Sequence, residues 1–210
     1  IDPITIVSVS RDPETPNYDE SVVVKSLIKK GCYELDSVVL SYQVESSSWT
    51  NITMTLDATE YVGTIPSQPY GKTVSYKIYA SDTHGSSEVS PVFSYVVGDF
   101  VEPEIVDVTQ MPLAVDSGQL AKILANVTEP ASASGVKKVN LWYKINGDWA
   151  ANGMGIEDGL WVANIPGQKQ GNSIQYYIEA FDNAGNNAES STFSYTVIIP
   201  NRLPTADFSV

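Results

Sequence analysis

The chain is 210 residues long, with twenty-five acidic against twelve basic side chains, a formal charge of −13 and an apolar share of 42%. Lysine and arginine are too few and too scattered to neutralise a phosphate backbone or to hold an anionic bilayer surface, which argues against nucleic acid, and no run of about eighteen apolar residues offers a helix for direct membrane insertion. One cysteine, Cys32, rules out an internal disulfide, and one histidine, His84, removes most imidazole chemistry.

In chain order, the first hundred residues predict strands near 3–10, 20–28, 37–45, 49–56, 60–66, 73–82 and 88–97. The alternation is plainest where Val38, Leu40, Tyr42 and Val44 share a face, and again at Val74, Tyr76, Ile78 and Ala80. A period of two marks a strand with one buried face, because successive side chains leave opposite faces. Turn formers fall between these segments: Asp12-Pro13, Gly31, Ser46-Ser47-Ser48, Gly71 and the stretch from Asp82 to Gly85.

The second hundred residues repeat the first. Between 61–97 and 161–197, fifteen of thirty-seven positions are identical without a gap, among them Ile65-Pro66, Gly71, Asp82, Gly85 and Phe93-Ser94-Tyr95. Trp49 and Met54 match Trp149 and Met154. The same faces recur at Val139, Leu141, Tyr143 and Ile145 and at Ile174, Tyr176, Ile178 and Ala180. The run from Leu120 to Leu124 reads as a strand, and Asn146-Gly147 as a two-residue hairpin turn. Seven short strands per hundred residues predict an all-β chain of two tandem immunoglobulin-like (fibronectin type III-like) seven-stranded β-sandwiches over 1–99 and 100–199. Their linker falls near 98–103.

Three segments carry a resemblance. Ala80-Ser-Asp82-Thr-His-Gly85 and Ala180-Phe-Asp182-Asn-Ala-Gly185-Asn186 resemble the F–G hairpin of fibronectin type III-like domains. Arg11-Asp-Pro13-Glu-Thr-Pro16-Asn-Tyr18-Asp19-Glu-Ser-Val22 resembles the first loop of tandem repeats in archaeal and bacterial surface proteins. Residues 200–210, ending Leu203-Pro204-Thr205-Ala206-Asp207-Phe208-Ser209-Val210, resemble a linker and the opening strand of a PKD (polycystic-kidney-disease-type) domain. The chain departs from the type III pattern by lacking a Trp in Ser21–Ile28 and by opening its sixth strand on Val74 or Ile174 instead of Tyr. The resemblance implies a piece of a larger exported multidomain protein, placed extracellularly or at the cell surface.

The chemistry-bearing residues are sparse. His84 sits in an expected turn that carries Ala184 in the other copy, and no nucleophile elbow or paired carboxylates accompany it, so no catalytic residue is assigned. The turn at Asp182-Asn183-Ala184-Gly185-Asn186 is oxygen-rich but reads as a hairpin turn. A better calcium candidate is the acidic joint of Asp99, Glu102, Glu104 and Asp107, against which stands a solvated acidic linker. Otherwise no cofactor is expected. Asn51-Ile52-Thr53 and Asn126-Val127-Thr128 are glycosylation acceptor patterns.

The aromatic residues carry the sharpest expectation. With Leu141 and Tyr143 inward, Trp142 points outward on the third strand of the second copy, and Tyr177 and Phe181 do so on the neighbouring sixth strand. The first copy has Ser41, Lys77 and Ser81 at these positions, so the fold itself does not require rings there. An exposed aromatic patch marks a contact surface. Three occupants are open: sugar rings, with Glu179 or Lys144 for hydroxyls; a neighbouring domain or another surface protein; or covering loops. Trp49 and Trp149, followed by Met54 or Met154 and Tyr61 or Trp161, resemble in spacing the aromatics of starch-binding modules. Shared packing under the hairpin accounts for that spacing equally. The expected function is a non-catalytic spacer, stalk or adhesive segment of a prokaryotic surface or secreted protein. A carbohydrate-binding accessory region of an exported polysaccharide-active enzyme is the alternative.

Overall fold

The computed structural model describes residues 2–199. The chain divides into two units, Ile1–Phe100 with Ala131–Ser134, and Val101–Pro130 with Gly135–Val210. The expected PKD-type strand at 200–210 lies outside the described residues.

The first unit contains β1 (Thr5–Asp12), β2 (Val22–Lys29), β3 (Leu35–Val44), β4 (Thr50–Thr53), β5 (Thr55–Asp57), β6 (Glu60–Ile65), β7 (Thr73–Asp82), β8 (Ser87–Val89) and β9 (Phe93–Val96). They form two antiparallel sheets, β1-β2-β6-β5 and β4-β3-β7-β8, with β9 also on β7. The second unit repeats this with β10 (Glu104–Met111), β11 (Ala121–Thr128), β12 (Val136–Ile145), β13 (Ala150–Gly153), β14 (Gly155–Glu157), β15 (Leu160–Ile165), β16 (Ser173–Asp182), β17 (Asn187–Glu189) and β18 (Phe193–Thr196). Its sheets run β10-β11-β15-β14 and β13-β12-β16-β17, with β18 on β16. Each unit is an immunoglobulin-like, fibronectin type III-like β-sandwich.

Alternation builds both cores. In the first unit Val22 and Val24 of β2 and Ile65 of β6 form a cluster with Leu40 of β3 and Val74, Tyr76, Ile78 and Ala80 of β7. The second unit places Ala121, Ile123, Ala125 and Ile165 with Leu141, Ile174, Tyr176, Ile178 and Ala180. Each fully buried Leu or Ile contributes about 1.5–3 kcal/mol, and among the described residues there are three in the first unit (Leu40, Ile65, Ile78) and five in the second (Ile123, Leu141, Ile165, Ile174, Ile178).

Each unit has nine strand segments where seven were expected. The segment expected at 49–56 changes sheets at Met54, whose side chain is buried and whose N–H donates to the Val38 carbonyl (2.9 Å). It thus yields β4 on one sheet and β5 on the other. Met154 repeats the crossing with Val139 (2.9 Å). The segment expected at 88–97 breaks at Ser90, where the hydroxyl replaces a ladder acceptor and receives the Ile78 N–H (2.9 Å). Ser190 does the same for Ile178 (2.9 Å). Sequence alternation is blind to both events, since one inward side chain is retained through each.

The Asn146-Gly147 expectation also needs correcting. The strands stop at Ile145 and resume at Ala150, so the loop has four residues, and only Asn146 of the pair takes a positive φ (55°). The longer loop swings Trp149 onto the outer face of the sheet.

Candidate functional site

The outer face of the β13-β12-β16-β17 sheet is assembled by register. Strands β12 and β16 pair Trp142 with Tyr177, Asn140 with Glu179, Lys138 with Phe181 and Lys144 with Gln175. These residues alternate with the buried Leu141, Val139, Ile178 and Ala180, so all eight point away from the core. On the flanking strand Ala151 stands beside Trp142, and β17 places Glu189 beside Glu179.

Trp142 and Tyr177 lie parallel, with centroids 6.1 Å apart and planes 4° from each other, as an offset stack. Trp149 meets Tyr177 edge-on at 4.9 Å. The Trp142 Nε1–H donates to Glu179 Oε2 (2.8 Å), and the same oxygen accepts from Asn140 Nδ2 (3.1 Å). Lys144 Nζ lies 4.9 Å from the Trp149 ring centroid, and Lys138 Nζ lies 4.1 Å from that of Phe181. Burial, with the negative charges of Glu189 and Glu179, raises the Tyr177 phenol above its ordinary range.

The three rings expected to form one patch are therefore arranged as a pair and an outlier. Trp142 and Tyr177 are stacked, whereas Phe181 is two rungs away from Tyr177 along β16 and is roofed by Lys138. The third member of the ring cluster is Trp149, whose spacing in the sequence fits starch-binding aromatics and packing under the hairpin alike.

In the first unit the matching face mixes polar contacts with an apolar row, Val39, Tyr79 and Val89, in register across β3, β7 and β8, of which Tyr79 and Val89 are exposed. Ser37 and Ser81 share a hydroxyl–hydroxyl hydrogen bond (2.8 Å), Ser41 Oγ donates to Asn51 Oδ1 (2.6 Å), and Lys77 Nζ lies over Trp49 at 4.5 Å. Lys77 stands where Tyr177 does, so a cation over the retained tryptophan replaces the ring pair.

The remaining expected residues fall as follows. Asp99 is buried in the first unit, where its Oδ2 accepts the Ser134 N–H (2.8 Å). Glu102, Glu104 and Asp107 are exposed residues of the second unit, and Asp107 Oδ2 accepts the Thr109 hydroxyl (3.2 Å). Asn51 is exposed on β4 and Asn126 is half-buried on β11. His84 stacks on Tyr33 with centroids 3.6 Å apart. The Asp82 carboxylate turns to backbone, accepting the N–H groups of His84 (2.9 Å) and Ser86 (3.0 Å). Although burial opposes it, those hydrogen bonds and the neighbouring imidazole hold Asp82 below its ordinary range. The second unit keeps the device: Asp182 Oδ1 accepts from the N–H groups of Gly185 (2.6 Å) and Asn186 (2.8 Å).

No protein-family model matches the chain, and no curated protein matches it. Among solved structures it is similar to the FN1-FN3 domains of chicken CNTN1, with 17% identity, a TM-score of 0.39 and coverage of 94% of this chain and 68% of the other. It is also similar to a two fibronectin type-III domain segment from chicken tenascin, with 11% identity, a TM-score of 0.44 and coverage of 91% and 97%.

Proposed function

We propose that this chain is a non-catalytic structural and adhesive segment of an extracellular, cell-surface or secreted multidomain protein, acting as a spacer that makes protein contacts. The observation that supports it is the contrast between the repeats. Core, sheet order, strand crossings and turn carboxylates are kept in both, while one outer sheet face changes its side chains: Ser41, Lys77 and Ser81 become Trp142, Tyr177 and Phe181, and the row Val39, Tyr79 and Val89 becomes Asn140, Glu179 and Glu189. Such a pattern fits a scaffold reused for its shape, with contact chemistry confined to one face. The prokaryotic part of the reading rests on the resemblance of the Arg11–Val22 loop. Acidic Asp99, Glu102, Glu104 and Asp107 remain candidates for calcium, and Asn51 and Asn126 for glycans.

Pulling single chains by their ends tests the spacer. Two resisting sandwiches release two extensions, each of roughly 30 nm, since about a hundred residues reach at most ~3.6 Å apiece. Extension without resistance overturns the reading. The ring cluster favours carbohydrate as a second reading, which a pull-down on insoluble polysaccharide and native cell-wall material checks. Retention on purified polysaccharide, lost in Trp142→Ala, would establish it in place of the first.

A further inference from the structure

The outer face of the second unit is laid out in complementary columns. The β12 column presents Lys138, Asn140, Trp142 and Lys144; beside it, in register, β16 presents Phe181, Glu179, Tyr177 and Gln175, and β17 adds Glu189. Both bases stand in one column, both acids in the next two, and the stacked rings between them. Among the described residues the two salt bridges are Lys30 with Glu34 and Lys122 with Glu157, so neither lysine of this face is paired with a carboxylate. Lys138 and Lys144 rest over rings instead, while Glu179 serves Trp142 and Asn140.

We propose that this face docks a second copy of the chain, two such faces meeting about a two-fold axis parallel to the strands. That axis lays the β12 column of one copy over the β16 column of the other at equal height. Trp142 then meets Tyr177, Asn140 meets Glu179, Lys144 meets Gln175, and Lys138, one rung from the acids, reaches Glu179 and Glu189 diagonally. A two-fold axis lying across the strands would set Lys138 against Lys144, and like charge disfavours it. The occupant is a copy because one face supplies both halves of the match, as an isologous contact requires. The first unit's face has Lys77 as its cation and no carboxylate in its β3 and β7 columns, so it lacks the match.

Four strands about 4.8 Å apart and four outward rungs give roughly 500 Å² per partner. Stable pairs bury about 800 Å² each, so the association is weak and becomes strong where copies are concentrated or arrayed. At physiological ionic strength the Debye length is about 8 Å, which screens the repulsion of two acidic chains while sparing contacts across the face.

This inference rests on the structural-segment reading and adds the partner's identity. Sedimentation of the full chain from low micromolar to millimolar concentration tests it. The average mass rises toward twice the monomer for the wild type. Trp142→Ser with Tyr177→Lys and Phe181→Ser, which installs the first unit's own residues, stays folded by circular dichroism and loses at least tenfold in association. Lys138→Glu with Lys144→Glu, and separately Glu179→Lys with Glu189→Lys, are each monomeric, and mixing the two restores the pair. A wild type that stays monomeric at the highest concentration, or a graft that dimerises like it, overturns the proposal. If that occurs while the two unfolding steps persist, only the partner is wrong. Polysaccharide retention lost in Trp142→Ala would remove both readings.

Discussion

Gly167→Ala is the smallest change that disturbs the second unit's frame. A Cβ built there lies 2.2 Å from the Gly118 carbonyl oxygen and 2.5 Å from its carbon, both backbone atoms that cannot rotate aside. Ordinary contact begins near 3.4 Å, so the β10–β11 connection must retreat by about 1 Å. Retreat strains the hydrogen bond from the Gly118 N–H to the Gln168 carbonyl (2.9 Å) and that from the Ser117 N–H to the Ile198 carbonyl (3.1 Å). Overpacking costs about 1–3 kcal/mol and a weakened hydrogen bond about 1 kcal/mol, for a total of about 2–4 kcal/mol. With a slope near 1 kcal/mol per molar urea, the midpoint falls by about 2 M or more. Tryptophan fluorescence reads this well, because Trp142, Trp149 and Trp161 all belong to that unit. Gly153→Ala is the control: nothing lies within 4 Å of its Cβ, and its cost stays within about 0.5 kcal/mol. Equal midpoints for the two variants would refute the close-approach argument. Ser67 at the matching place in the first unit marks the approach as particular to this loop.

Three further outcomes follow from burial and hydrogen bonding. Leu141→Ala, at a fully buried position, costs about 2–5 kcal/mol in urea unfolding. The Tyr195 phenol is pushed up to about 12 by burial first and by Tyr176 second. Its folded value lies above the unfolded one, so its contribution is complete below pH 10 and lost as pH rises through 12. Tyr195→Phe flattens that alkaline limb, as measured by circular dichroism. Asp82, held low, contributes above its ordinary value and loses the contribution as pH falls through the folded one. Asp82→Asn is thus less stable than the wild type at pH 7, and the gap closes as the medium is acidified below pH 4; a gap independent of pH would contradict the carboxylate's role.

Most of the fold was legible because one period decides it. Val38, Leu40, Val74, Tyr76, Ile78 and their counterparts alternate strictly, and alternation is what a half-buried strand requires. Repetition then gave the second sandwich by comparison with the first. The crossings at Met54 and Met154 and the breaks at Ser90 and Ser190 were not legible. Each preserves the inward side chain and changes only where a backbone N–H goes, which a hydrophobic pattern does not record. On the outer face, alternation set Trp142 and Tyr177 side by side, and the register pairs them directly. Trp149 was missed because a loop of unforeseen length carries it there. Glu179 as the acceptor for Trp142 was missed because side-chain pairing across strands depends on register.

The crossing at Met54, with its copy at Met154, also shapes how the chain avoids its own likeness. Splitting one long strand leaves β4 and β5 as sheet borders of four and three residues, and the break at Ser90 leaves β8 and β9 equally short. The one long border in each unit, β1 or β10, shifts register between Ile6 and Ser8 or between Ile105 and Asp107. Short or irregular borders make poor templates for an incoming strand. Two homologous repeats synthesised in succession offer each other a supply of matching strands, a route to misassembly and fibrils. Truncated borders deny those strands a place to add.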